Sequence, residues 1–172
     1  MAGGFKQFGP TYNTTLYVRL GYEGILNGTH EIDVTEAQAV NGELAGKFAS
    51  ITADGTIGVA AEGGANAVGL FREDLADMSN ASLKATFYFR GGEYYVAASR
   101  LGADATDFAY GEEITSDADG KIVPLSFAPA GSKALGIVTH IGPWTTGNMY
   151  QNAGTGAPDG TNGDFVGFIM YI

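Results

Sequence analysis

The chain has 172 residues, of which 27 are glycine, 12% are aromatic, 16% are charged and none is cysteine. This composition excludes a disordered chain, which is poor in aromatic residues and rich in charge. It also excludes a helical bundle, which is rich in Leu, Glu and Lys. Abundant glycine, threonine, β-branched and aromatic residues favour strands joined by tight turns. We therefore expect an all-β fold, an antiparallel small β-barrel or β-sandwich.

The net charge of −10 argues against some classes of partner. An acidic surface repels phosphate, so we expect neither nucleic acid nor a membrane surface to bind. No apolar run approaches the ~18 residues that a membrane-spanning helix needs. The first eight residues contain no apolar signal core, so we expect a protein that is made and used without secretion. The absence of cysteine removes disulfides, thiolate catalysis and thiolate metal sites.

The strands are predicted in chain order from residue type and periodicity. Residues 1–14 have no helical periodicity and predict an extended N-terminal arm. Strands are predicted at 15–20, at 30–34, where polar and apolar residues alternate, and at 47–51. Short helical turns are predicted at 35–40 and 73–78.

Two segments of the chain carry the same motifs in the same order. Asp54-Gly55 is followed by Ala-Val-Gly-Leu at 67–70, and Asp119-Gly120 is followed by Ala-Leu-Gly-Ile at 134–137. Asp-Gly supplies the positive-φ positions of a tight hairpin turn. The later glycine lets a strand bend or lets another backbone approach closely. The shared order favours an internal duplication over chance. The last strands of the two units are predicted at 83–89 and 165–172.

Two turns between strands are predicted from local sequence. β-rich runs at 85–89 and 94–98 flank Gly91-Gly92, which predicts a hairpin with a two-residue primed turn. Residues 117–121 read Asp-Ala-Asp-Gly-Lys and predict an Asx-Gly hairpin turn. An EF-hand calcium loop is rejected there, because the first and twelfth ligand positions hold Thr and Ser and the flanks are strand-like.

For the domain organisation, we expect residues 1–45 to supply the N-terminal arm and the first strands. Residues 46–172 are expected to form a β domain with the duplicated Asp-Gly and Ala-x-Gly units. One continuous domain that includes both segments is the alternative.

The sequence holds no pattern that indicates catalysis. The two histidines, His30 and His140, are far apart, so a zinc site has almost no ligands to draw on. Neither a Gly-x-Ser-x-Gly nucleophile elbow nor a phosphate-binding Gly-Lys-Ser/Thr loop occurs. We therefore expect a protein that is not an enzyme and needs no metal or cofactor.

The N-terminal arm is the first candidate binding segment. Phe5, Phe8, Tyr12 and Tyr17 lie in a lead-in that is rich in glycine and threonine. Such an arm could add a strand to the edge of a partner's sheet, with main-chain hydrogen bonds giving affinity and the rings giving register. Packing of the arm on its own domain is an equally good interpretation.

The segment 142–163 is the second candidate, because a loop this long inside a compact domain is often functional. It contains Trp144, the single tryptophan of the chain, together with Met149 and Tyr150. A tryptophan in a polar loop more often anchors that loop to its own core than to a partner.

The first repeated unit resembles the lambda-type head-decoration, or cement, proteins of tailed bacteriophages, which sit on the mature capsid. The likeness covers roughly residues 46–141 and the final strand, and the pattern recurs from Tyr110 to Ile137. The resemblance implies a structural virion protein on the outer surface of a viral capsid. It would stabilise the capsid by binding the major capsid protein, and would form an oligomer, a trimer in this family. The matching residues are Asp54, Gly55, Ala67, Val68, Gly69, Leu70, Thr86, Phe87, Tyr88, Gly91 and Tyr94.

A different class of function fits the same composition. A β-sandwich carbohydrate- or receptor-binding module would stack exposed aromatic rings on sugars. The candidate rings are those of Trp144, Tyr94 and Tyr95.

Overall fold

A computed structural model of the protein describes residues 16–20, 23–25, 32–33, 44–71, 86–88, 91–143 and 164–172. Strands predominate in these residues, and the helices there are 3₁₀ helices of three residues each. The all-β prediction is therefore confirmed. The strands are β1 Leu16–Leu20, β2 Glu23–Ile25, β3 Ile32–Asp33, β4 Phe48–Ile51, β5 Ile57–Val59, β6 Ala67–Phe71, β7 Thr86–Tyr88, β8 Glu93–Ala97, β9 Glu113–Ser116, β10 Ile122–Pro124, β11 Gly136–Pro143 and β12 Asp164–Met170. The 3₁₀ helices are Glu62–Gly64, Ala98–Arg100, Ala105–Asp107 and Leu125–Phe127.

The described strands form two sheets. Sheet I has the order β1-β8-β12-β11-β9-β10, and sheet II has the order β2-β7-β6-β4-β5-β3. Neighbours are antiparallel except β3 and β5, which pair in parallel with Ile32 opposite Ile57. Neither sheet closes on itself within the described strands. Of the two shapes predicted, a barrel or a sandwich, the fold is a sandwich.

One hydrophobic core joins the two sheets. Phe48 and Tyr88 enter it from sheet II, and Tyr94 and Phe168 enter it from sheet I. The ring centroids of Tyr88 and Tyr94 are 5.4 Å apart, and those of Phe48 and Phe168 are 6.1 Å apart. These are the distances of tilted aromatic pairs, which stabilise a core beyond their buried area. The alternation of inward and outward residues along β8 and β12 places the rings of Tyr94 and Phe168 on the same face of sheet I.

The two segments with repeated motifs have the same strand order. The first forms β7-β6-β4-β5 in sheet II, and the second forms β12-β11-β9-β10 in sheet I. In the first, Gly69 lies opposite Ala49, and in the second Gly136 lies opposite Ile114. The second glycine of each motif thus pairs with the strand that precedes the Asp-Gly turn.

The backbone hydrogen bonds before these strands also correspond. The Gly46 amide donates to the Phe71 carbonyl at 2.9 Å, and the Gly111 amide donates to the Val138 carbonyl at 2.9 Å. Both glycines have positive φ, 84° and 78° respectively, which glycine adopts without steric cost. The two segments therefore share both their strand order and their entry turn.

The Asp-Gly turn of the second segment packs against the first segment. The Phe48 amide donates to the Gly120 carbonyl at 2.8 Å, and the Ala60 amide donates to the Phe48 carbonyl at 2.8 Å. A Cβ on Gly120 would collide with Val59 Cγ1 and lie 3.0 Å from the Phe48 carbonyl oxygen. A Cβ on Gly55 would meet nothing within 4 Å. The same motif is thus an open turn in one segment and a contact between the sheets in the other.

A second contact between the segments is made by Ser116, which is fully buried. Its hydroxyl donates to the Ala61 carbonyl at 2.6 Å and accepts from the Gly64 amide at 3.1 Å. One side chain of β9 therefore bonds two backbone groups of the connection after β5, which are also joined by the longer bond from the Gly64 amide to the Ala61 carbonyl at 3.3 Å.

The predicted hairpin over residues 85–98 is wrong. β7 belongs to sheet II and β8 to sheet I, so the two strands do not pair. Gly91 and Gly92, with φ of 71° and 92°, lie where the chain passes from one sheet to the other. Burial explains the outcome, because Tyr88 and Tyr94 both pack into the core from opposite sheets.

Other predicted elements have mixed outcomes. The strands predicted at 15–20, 30–34 and 47–51 are confirmed within the described residues, where β1, β3 and β4 lie. The turns predicted at 35–40 and 73–78 lie outside the described residues.

The first three strands join both sheets at or next to an edge. β1 pairs with β8, β2 pairs with β7, and β3 pairs with β5. The strands within residues 1–45 thus extend the sheets that the later strands build.

Candidate binding surface

The residues predicted from the sequence to bind a partner fall almost entirely outside the described residues. Tyr17 is described through its backbone, which lies in β1 and pairs with Tyr95 of β8. The arm and loop contacts stay predictions. The predicted residues outside the described ranges are Phe5, Phe8, Tyr12, Trp144, Met149 and Tyr150.

An open depression of about 660 Å³ lies where the connection from β8 to β9 meets the 3₁₀ helix after β10. Small side chains form most of its surface, with two carboxylates and one aromatic ring among them. This mixture suits a binding surface that takes both an apolar and a charged group. The lining residues are Ala98, Leu101, Gly102, Ala103, Asp104, Ala105, Thr106, Asp107 and Phe127.

The connection from β8 to β9, which forms most of the depression, is attached to the core of the sandwich. Leu101 makes a bridge to Ile122 of β10, and the Gly102 amide donates to the Ile122 carbonyl at 2.9 Å. Leu101 and Ala105 are buried in the core cluster. A Cβ on Gly102 would collide with Asp117 and Val123, so only glycine allows this close approach. The shape of the depression is therefore set by the core.

Two exposed aspartates stand in the turn at its centre. The Asp104 amide donates to Asp107 Oδ2 at 3.0 Å, and the Asp107 amide donates to the Asp104 carbonyl at 2.9 Å. Aspartate favours such local side-chain-to-backbone bonds at the start of a helical turn. Both residues are exposed, so they present negative charge to solvent at the depression.

Phe127 is the aromatic residue of the depression, and 59% of it is exposed. The neighbouring Ser126 hydroxyl donates to Glu112 Oε1 at 2.9 Å, and the Ala109 amide donates to Glu112 Oε2 at 3.0 Å. Glu112 thus ties the turn before β9 to the 3₁₀ helix that carries Phe127. Its carboxylate is thereby bonded to the residue that precedes Phe127 in the chain.

Tyr110 lies in the same turn as Glu112 and is 67% exposed. Its hydroxyl donates to the Ile141 carbonyl at 3.3 Å. Exposed aromatic residues that cluster with other apolar groups usually mark a binding surface. No sequence motif predicts Phe127, Asp104 or Asp107 as binding residues, although the Asp-x-x-Asp spacing is a helix-start signal.

A polar cluster on β8 and β11 contains the second histidine. Glu93 Oε1 accepts from the Tyr95 hydroxyl at 2.8 Å and from Thr139 Oγ1 at 3.3 Å. The His140 ring lies 5.7 Å from the Tyr95 ring, and Tyr95 covers Gly167, which has no side chain to obstruct it. Tyr95 is 4% exposed, so this cluster holds neighbouring strands together.

The burial of two tyrosines corrects one prediction. Tyr94 and Tyr95 are 0% and 4% exposed, so neither ring is available to stack on a sugar. The alternation of side chains along β8 explains this, because Tyr94 points into the core and Tyr95 points to the opposite face against Phe165.

The described part of the chain holds no group of three His, Asp or Glu side chains arranged to bind a metal ion. Its short helices are also not long and apolar enough for any of them to cross a membrane. A scan against known protein-family models finds no match for the chain, and a search of curated proteins finds none.

Proposed function

We propose that the protein is a structural virion protein that decorates a bacteriophage capsid. In this proposal it lies on the outer capsid surface, binds the major capsid protein and stabilises the shell as an oligomer, a trimer by resemblance. The observation that supports the proposal is that the two copies of the motif on which the resemblance rests occupy equivalent places in the two sheets. Asp54-Gly55 and Asp119-Gly120 form matching hairpin turns, and Gly69 and Gly136 pair with matching strands.

The surface of the described residues adds support, because it offers a place for a protein partner. Phe127 and Tyr110 are exposed, and the depression beside Phe127 is open to solvent. Aromatic rings with an adjacent polar rim are typical of protein-binding surfaces. A sandwich with one continuous aromatic core is also a rigid body on which such a surface is preorganised.

The test uses shells assembled from the major capsid protein of the bacteriophage that, in this proposal, encodes the chain. Purified protein is mixed with expanded shells, the shells are sedimented, and the bound protein is measured. We expect saturable binding in a fixed ratio to the shell subunits, and a higher temperature of shell disassembly. Protein that stays in the supernatant at every concentration would contradict the proposal.

A carbohydrate-binding module is the second candidate, and one observation favours it. Exposed Phe127 lies beside Asp104 and Asp107, and an aromatic face with adjacent carboxylates can hold a sugar ring. Retention on immobilised glycans, together with no binding to shells, would favour this candidate. The burial of Tyr94 and Tyr95 removes two of the three rings predicted for that function.

A further inference from the structure

We infer that the depression at residues 98–107 and Phe127 is the surface on which a positively charged, extended segment of the major capsid protein docks. The inference rests on the proposed function and names the surface and the chemistry of the partner. The observations that carry it are the charge of the depression, its exposed ring and the fixed shape of its floor.

The charge of the depression indicates a basic partner. Asp104 and Asp107 line it, and Glu112 is hydrogen-bonded to Ser126 next to Phe127. No lysine or arginine side chain is among the described residues that line it. The nearby Arg100 is 6% exposed, and its Nε donates to the Ala45 carbonyl at 2.7 Å. Its side chain is therefore buried and does not line the depression.

The same charge argues against a second copy of the chain as the occupant. Two copies that met at this depression would bring the aspartates of both chains together, which costs electrostatic energy. A lysine or arginine of a capsid segment would instead meet carboxylates that have no basic neighbour among the described lining residues. Such complementarity fixes register and raises the rate of association.

The exposed ring gives the segment an apolar anchor. Phe127 is 59% exposed, and the alanines and Gly102 beside it leave room for one apolar side chain of the partner. Burying an aromatic ring at the centre of an interface is the usual source of binding energy, with charges at the rim. An extended segment suits this site, because the depression is open to solvent and an extended chain can place a basic and an apolar side chain on it together.

The residues that attach the depression to the core, Leu101, Gly102 and Ala105, need not rearrange before a partner binds. Leu101 and Ala105 are part of the core, and the Gly102 amide is bonded to the Ile122 carbonyl. A surface held from below in this way loses little conformational entropy when it binds a partner. An exposed loop tip, by contrast, would lose more conformational entropy when it became ordered on binding.

The test measures binding of purified variants to the shells described above, across a range of salt concentrations. Asp104→Asn with Asp107→Asn removes two charges and keeps side-chain oxygens that can accept the same backbone hydrogen bonds. We expect roughly tenfold weaker binding and a smaller loss of affinity with added salt. The matched control is Asp54→Asn with Asp119→Asn, which removes two exposed charges outside the depression and should change affinity less than about twofold.

A second pair of variants tests the ring without altering charge. Phe127→Ser should weaken binding by at least about tenfold. Tyr171→Ser removes an aromatic residue of similar exposure, 49%, outside the depression and should leave binding unchanged. Circular dichroism and thermal unfolding of each variant confirm that the fold is retained.

The outcomes separate the inference from the proposed function. Wild-type binding together with equal affinities for site and control variants would overturn the inference and leave the decoration function standing. Failure of the wild-type protein to bind shells would overturn both. Retention of the wild-type protein on neutral glycans, lost in Phe127→Ser, would replace the capsid segment with a sugar as the occupant.

Discussion

Thr52 and Asp117 hold the same place in two turns that lie in different sheets. Thr52 Oγ1 accepts from the Thr56 amide at 3.2 Å, and Asp117 Oδ1 accepts from the Lys121 amide at 2.8 Å. In both turns the first amide also donates to the fifth carbonyl, at 2.8 Å for Thr52 and 2.9 Å for Asp117. A threonine and an aspartate therefore perform one task, since each supplies an oxygen acceptor on a short side chain. The turns differ in their surroundings, because Gly120 packs against Val59 and Phe48 whereas Gly55 has open space around it.

The two turn glycines form a matched pair for mutation. Gly120→Ala should destabilise the protein by about 3 kcal/mol or more, because the new Cβ would collide with Val59 and approach the Phe48 carbonyl. Gly55→Ala should cost only about 1–2 kcal/mol, since its φ of 80° is strained for alanine but the space is open. Chemical denaturation of both variants measures the difference. Equal losses would mean that the Gly120 turn does not pack against β4.

Ser116→Ala should remove a link between the two sheets. The change leaves the Ala61 carbonyl and the Gly64 amide without the serine hydroxyl at a fully buried position. We expect a loss of about 1–3 kcal/mol in the free energy of unfolding. Ser126→Ala is the control, because Ser126 is exposed and its hydroxyl bonds only one side chain, that of Glu112. The free energy of unfolding of this variant should fall by no more than about 0.5 kcal/mol. A Ser116→Ala variant as stable as the control would argue against the buried bonds.

Thr115→Val should stabilise the protein. Thr115 is fully buried, and its hydroxyl has no hydrogen-bond partner among the described residues. Replacing the hydroxyl by a methyl group of similar size removes the desolvation cost of an unsatisfied polar atom. We expect a gain of about 1 kcal/mol by denaturation, compared with no clear change for the exposed Thr106→Val. A loss of stability would indicate that the hydroxyl has a partner in the folded protein.

The Asp-Gly and Ala-x-Gly motifs predicted much of the fold, because they specify backbone geometry locally. The Asp117–Lys121 turn is confirmed, with Asp117 Oδ1 accepting from the amides of Asp119 and Lys121 at 2.8 Å each. The Gly91-Gly92 pair predicts a hairpin wrongly, since positive-φ glycines occur equally well in a hairpin turn and in a crossing between sheets. Which of the two forms depends on whether the flanking aromatic faces can share one core, and that is a long-range property.

The candidate surface could not be predicted in the same way. Phe127, Asp104 and Asp107 are brought together by the bridge between Leu101 and Ile122, which joins parts of the chain that no local pattern connects. Tyr94 and Tyr95 illustrate the opposite error, because their exposure was assumed from residue type. Their burial follows from the pairing of β8 with both β1 and β12 in the interior of sheet I.

Deletion of residues 1–14 should leave a folded protein that no longer binds shells. β1 begins at Leu16 and pairs with β8, so the deletion spares every described strand. The segment carries Phe5, Phe8 and Tyr12, which would bury apolar area against a sheet edge of the capsid protein. Ordering an extended arm costs conformational entropy, so these rings must be well buried in the complex to give net affinity.

Shell sedimentation of the truncated protein measures the effect, and thermal unfolding checks that the sandwich persists. A triple substitution of Phe5, Phe8 and Tyr12 by serine is the matched control, because it keeps the chain length and should lose as much affinity as the deletion. If the substituted chain binds normally and the deletion does not, main-chain pairing and not the rings holds the arm. If both bind as tightly as the full chain, the arm is not the contact. The segment that contains Trp144, Met149 and Tyr150 then becomes the better candidate for a contact in addition to the depression, because its long apolar side chains are the remaining anchors predicted from the sequence.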